Sequence, residues 1–127
     1  PLVYVNDPEA KVLGRLVANG KPALCVKEMK GGWKSIFIGS YFVPAPLLRG
    51  ILKYAGVHIY SSTDDAVYVN NRWLIIHAHK GGTKTLLLSR PSTVWDVMEN
   101  KKLDENTLRV TMPMREGETK ILFLGKR

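Results

Sequence analysis

The sequence predicts an α+β fold that is mostly β, an antiparallel meander or small sandwich with one clear α-helix at about residues 44–55. Three observations predict it. Short β-branched and aromatic runs recur at close spacing through the second half, separated by Asn, Gly and Pro turn residues. A single stretch, residues 44–56, combines helical apolar spacing with a start and a stop signal. Apolar residues make up 45% and charged residues 24% of the 127, a globular balance that sets aside disorder, collagen and coiled coil.

In chain order, residues 12–18 and 22–27 flank Asn19-Gly20, a strong hairpin signal. The spacing of 12–18 equally suits a short helix stopped by Gly20, so both readings stand. Gly31-Gly32 turns the chain into a third strand, 33–38. In the helix, Pro44 and Pro46 preset φ for the first turn, and Leu47, Leu48, Ile51, Leu52 and Ala55 form one stripe. Gly56 can close the last turn, and Arg49 and Lys53 fall on the wet side. Further strands are expected at 57–60, 66–70, 73–79, 83–88, 94–98, 108–112 and 119–124. Asn70-Asn71, Gly81-Gly82, Arg90-Pro91-Ser92 and Glu116-Gly117 supply turns, and strands so closely spaced pair antiparallel. Alternation sends Leu74, Ile76 and Ala78 into the core and Trp73, Ile75, His77 and His79 to the opposite face; Trp95 is placed inside.

Nineteen Lys and Arg against 11 Asp and Glu give a net charge of +8, and eight basic residues with one acid fall between Lys11 and Lys53. A basic first half attracts nucleic acid, an anionic membrane or an acidic partner domain. Lys27, Lys30 and Lys34, around Trp33, are the basic surface candidates, and a basic nucleic-acid-binding module is the alternative function. No apolar run approaches the ~20 residues of a membrane helix, so no membrane partner is expected. No signal peptide is visible at the first residues, and the absent Met points to a fragment or a processed chain. The lone Cys25, within the apolar run 23–26, reads as a core residue and supports no disulfide framework.

His77 and His79 offer two metal ligands, but no spacing identifies a third, so neither metal nor cofactor is expected. His58 reads as a hydrogen-bonding residue at a strand start. Asp64-Asp65 lie in a polar loop with Ser61, Ser62 and Thr63, where such side chains favour turns. Nucleophile-elbow, phosphate-loop and dinucleotide-binding motifs are missing, and Gly81-Gly82-Thr83-Lys84-Thr85 reads as a hairpin turn. No catalytic residue is expected. An aromatic platform is the remaining chemistry: a flat ring stacks on a sugar face or a nucleobase, and Trp73 with Tyr68 or Trp33 can supply one.

The stretch from Pro46-Leu47-Leu48-Arg49 through Gly56-Val57-His58-Ile59-Tyr60-Ser61-Ser62-Thr63-Asp64-Asp65-Ala66 to Asn70 resembles a segment of bacterial multidomain glycoside hydrolases related to the β-galactosidases. The likeness continues through Trp73-Leu74-Ile75-Ile76-His77-Ala78 and Gly82-Thr83-Lys84-Thr85-Leu86, and Lys21 to Lys27 with Gly32 to Ser35 is similar too. Val94-Trp95-Asp96-Val97, Leu108-Arg109-Val110-Thr111 and Gly117-Glu118-Thr119 resemble the terminal β-modules of glycosidases. The resemblance implies a region downstream of a catalytic barrel: residues 1–60 as an α/β lobe ending an amidotransferase-like domain, and 61–127 as an antiparallel β-module. It further implies a non-catalytic accessory role in domain packing, oligomerisation or saccharide positioning. The implied partners are an upstream catalytic domain, a second copy of the chain, or polysaccharide. Trp73, His77 and Tyr68 are the saccharide-binding candidates. The first βα repeats of an amidotransferase-like domain are lacking, so a complete doubly wound sheet is excluded.

Overall fold

A computed structural model describes residues 3–126 and is mostly β, with two antiparallel sheets and one helix. The backbone divides into two compact units, Pro1–Pro44 and Ala45–Arg127, which places the helix in the second unit.

The first unit is a three-stranded antiparallel sheet, β1 (Lys11–Arg15), β2 (Pro22–Glu28) and β3 (Lys34–Ile38), in the order β1-β2-β3. Residues 12–15 resolve as strand rather than helix, and 16–18 lead into the turn. The chain leaves β1 at Leu16, whose N–H donates to Lys21 O at 2.8 Å, and Gly20 (φ 68) takes the left-handed position of the turn. Cys25 faces Val12 on one side and Phe37 on the other, and with Val26 it forms the buried centre of this sheet. Its thiol is therefore a core group, as the surrounding apolar run implies.

The second unit opens with α1 (Ala45–Tyr54). Gly56 (φ 77) closes the helix in a Schellman motif, with Val57 N–H donating to Leu52 O at 2.9 Å and Gly56 N–H to Lys53 O at 3.0 Å. Five strands follow: β4 (Ala66–Asn70), β5 (Trp73–His77), β6 (Gly82–Asp96), β7 (Lys101–Met114) and β8 (Thr119–Leu124). Their order is β4-β5-β8-β6-β7, so the last strand lies between two hairpins instead of continuing a meander.

Three expectations are corrected here. Residues 57–60 form no strand; they run as a loop whose Tyr60 O accepts the Leu87 N–H at 2.8 Å. Residues 83–88 and 94–96 belong to one 15-residue strand, because Arg90-Pro91-Ser92 is an irregularity inside β6 rather than a turn between strands, and 97–98 fall in the turn that follows. Pro91 has no N–H to give a ladder, and the β6–β7 register slips between Leu87 and Ser92, where none is needed. β7 likewise begins at Lys101, seven residues before Leu108, through a polar stretch that carries pairing but little burial.

The core of this unit is one cluster: Leu74, Ile76 and Ala78 from β5 and its end, Leu86, Leu88 and Val94 from β6, Val110, Met112 and Met114 from β7, and Leu122 and Leu124 from β8. Period-2 alternation carries this pattern, and it brings three charges inside: Lys84 and Asp96 on β6 and Lys120 on β8. The expected inward Trp95 is corrected by the same alternation. Its neighbours Val94 and Asp96 are fully buried, so Trp95 turns to the opposite face.

Candidate functional site

The face of the β4-β5-β8 region opposite the core is built from the odd positions of β5 and β8. Cross-strand pairs fix it in rows: Asn70, Trp73, Phe123 and Trp95; then Tyr68, Ile75 and Ile121; then Ala66, His77 and Thr119. Trp73 and Phe123 meet edge to face with ring centroids 5.2 Å apart. Trp73 remains 46% exposed and Tyr68 67% exposed, so two large aromatic side chains stand open to solvent on a hydrogen-bonded sheet. His77 Nδ1 and Thr119 Oγ1 are hydrogen-bonded at 2.8 Å, and this polar pair closes one side of the apolar rows. Trp95 lies half-buried in the first row, and its indole Nε1 has no hydrogen-bond partner among the described residues.

The structure thus brings Tyr68, Trp73 and His77 onto one face, and adds Phe123, Ile121 and Trp95 to them. Phe123 was legible only as a strand residue in 119–124, because its role depends on β8 pairing with β5, a contact 50 residues apart in sequence. His79 is separated from His77. β5 ends at His77, and His79 sits in the following loop with its backbone N–H donating to Asp65 Oδ1 at 2.8 Å. His58 is exposed in a loop, its Nε2 donating to Leu87 O at 2.8 Å and its ring against Tyr60. Among the described residues, no group of three or more His, Cys, Asp and Glu gathers in a metal-binding arrangement.

Asp65 ties the loop to β6 and to the end of β5. Its carboxylate accepts from Thr63 Oγ1 at 2.5 Å, His79 N–H at 2.8 Å and Lys84 Nζ at 2.9 Å. Burial pushes this carboxyl up; the Thr63, Lys84 and His79 donors and the Lys84 charge more than offset it and hold it below the usual carboxylate range. Asp64 instead faces Arg49 of α1 at 2.7 Å, tying the helix to the loop. Asp96 repeats the pattern deeper in the core. Burial raises it, but Lys120 Nζ at 2.7 Å and the backbone N–H groups of Met98 and Glu99 bring it below the usual range. Lys120, which burial alone would lower, is held above its ordinary value by Asp96 and Glu99, each 2.7 Å away.

The basic surface candidates of the first unit separate. Lys27 lies 2.7 Å from Asp7 and 2.8 Å from Glu9, and Lys34 lies 3.5 Å from Glu28. Hydrogen bonds that it donates to Asp7 and Glu9 hold the Lys27 ammonium above its ordinary value. Only Lys30 of the three has no acidic partner among the described residues, so this surface offers no run of open cations. Trp33 beside them is exposed.

Comparison with protein-family models, with curated proteins and with solved structures finds no match for this chain.

Proposed function

We propose that this chain is a non-catalytic accessory module of a carbohydrate-active enzyme, and that it positions saccharide on the face carrying Tyr68, Trp73 and Phe123. One observation supports the reading above all: large aromatic side chains stand exposed in fixed rows on a rigid sheet, with a His77–Thr119 pair at their edge. A pyranose ring presents an apolar face of C–H groups and an equatorial rim of hydroxyls. The aromatic rings match the first, and a hydroxyl with an imidazole matches the second. The resemblance to glycoside hydrolases related to the β-galactosidases favours the same ligand class. The nucleic-acid alternative draws less support, because Lys27 is already neutralised by two carboxylates.

Covering about half of a Trp side chain, roughly 80 Å² at about 25 cal/mol/Å², contributes about 2 kcal/mol. Trp73→Ala therefore weakens saccharide binding about 30-fold. Titration of the protein with an oligosaccharide panel, read by shifts of the Trp73, His77 and Thr119 amide signals, tests the proposal. Absence of any saccharide-dependent shift on β4, β5 and β8 overturns it.

A further inference from the structure

A cavity of about 580 Å³ opens at the end of the second unit's sheet where β5 begins and β8 ends. Arg72, Arg90 and Lys126 supply three cations to its wall, beside Ser92, Asn106 and the single acid Glu105. Backbone irregularities shape it. Arg72 follows Asn71 (φ 52) in the two-residue connection between β4 and β5, and its carbonyl accepts the Leu124 N–H at 2.7 Å, which pins that turn to β8. Arg90 and Ser92 belong to the stretch of β6 where the register slips, and Asn106 (φ 49) is the break on the β7 side. Bulges of this kind re-aim side chains away from the ladder.

The charges around the cavity do not balance internally. Glu105 is taken by Lys102 at 2.7 Å, while neither Arg72 nor Arg90 has an ion pair among the described residues. A hydrogen bond and the charge of Lys102, joined by Lys126, hold the Glu105 carboxyl below its usual range. Three cations lining one concavity repel one another, and an anion placed among them relieves that repulsion. Arginine's planar fork is suited to the two oxygens of a carboxylate.

This cationic cavity adjoins the aromatic rows. Trp73 directly follows Arg72. A Cβ built on Gly125, a residue of the cavity wall, would lie 3.5 Å from the Phe123 ring and 3.8 Å from the Arg72 guanidinium. We propose that the Arg72–Arg90–Lys126 cavity receives the carboxylate of an acidic saccharide whose sugar rings lie on the Trp73–Phe123 face, so that the module selects uronic-acid polysaccharide over its neutral counterpart. The proposal rests on the reading of the aromatic face as a saccharide platform and adds the chemical class of its ligand.

The test is calorimetric titration of the whole chain with tetrasaccharide pairs differing only in the C6 carboxylate, in gluco, galacto and manno series. Inorganic sulfate, a sulfated oligosaccharide and a random single-stranded oligonucleotide complete the set. The uronate of at least one pair should bind about tenfold more tightly than its neutral partner at low salt. Arg72→Gln with Arg90→Gln should abolish that preference and leave the neutral sugar's affinity unchanged, whereas Trp73→Ala should weaken both. Equal binding of neutral and acidic sugars by the unaltered protein overturns the cavity assignment and leaves the platform standing. Failure of all three pairs overturns both. Tighter binding of the sulfated sugar, of free sulfate or of the oligonucleotide than of any uronate overturns the assignment to a carboxylate.

Discussion

Lys120→Met removes the cation that holds Asp96 ionised in the core. The Asp96 side chain is 0% exposed and the Lys120 side chain 10%, with Nζ 2.7 Å from Oδ2. Breaking a buried pair by deleting one partner costs about 3–5 kcal/mol, because the remaining charge is stranded in low dielectric. The contact of Lys120 with Glu99 adds little to this, since that carboxylate is 55% exposed and solvent screens it. In a unit of this size about 1 kcal/mol moves the unfolding midpoint by roughly 4–8 °C, so the variant should melt at least about 12 °C lower at pH 7. The pH dependence carries a sign. In the unaltered protein the Asp96 pKa is depressed, so its stabilisation is present above the unfolded value of about 3.9 and is lost as pH falls through the folded one. In Lys120→Met the burial that raises Asp96 has lost its main opponent. The folded state then holds the proton more tightly than the unfolded chain, and the deficit should shrink from pH 7 to pH 4. Asp96→Asn combined with Lys120→Met should recover most of the loss, since the amide oxygen can still accept from Met98 and Glu99. Urea unfolding followed by tryptophan fluorescence measures all three proteins. A Lys120→Met deficit below about 1 kcal/mol at pH 7, or one that is constant with pH, would refute the reasoning.

Three further outcomes are expected. Leu74→Ala, at a fully buried position in the β5 core row, should cost about 2–5 kcal/mol in the same urea experiment. Asn71, held at φ 52 in the β4–β5 connection, should tolerate glycine almost without cost, while Asn71→Val should lose about 1–2 kcal/mol in thermal melts. Cys25, 2% exposed, should react with a thiol reagent far more slowly in the native protein than in urea, as absorbance of the released thiolate would report.

Much of the fold was legible because local chemistry and tertiary structure agree. Asn70-Asn71 marks a two-residue connection that forms, and the alternation of Leu74, Ile76 and Ala78 reads directly as a core row. Pro44, Pro46 and Gly56 bracket the helix at both ends. One source of the differences is pairing that costs no hydrophobic signal. Residues 101–107 are a strand because β6 lies beside them, not because their side chains seek burial. Strand parity, not side-chain polarity, decides which of Trp95 and Asp96 faces inward: an ion pair with Lys120 makes the inward aspartate tolerable and leaves the tryptophan on the opposite face. At the candidate site, Tyr68, Trp73 and His77 follow from one hairpin and were within reach of sequence. Phe123 and the Arg72–Arg90–Lys126 cavity were not, since their neighbours are set by β8 and by the slipped register of β6.

The placement of β8 between two hairpins has a consequence for the order of folding. β4–β5 and β6–β7 each close between neighbours in sequence, which is fast and local. Until residues 119–124 arrive, however, β5 and the far end of β6 present unpaired edges, and the Leu74–Ile76 and Val94 rows lack their Leu122 and Leu124 partners. On a ribosome this seam is among the last parts of the unit to emerge, so the nascent chain passes through a state with two adhesive edges and an open core. A peptide matching β8, added to a chain stalled before residue 119, would be captured in the vacant slot between them.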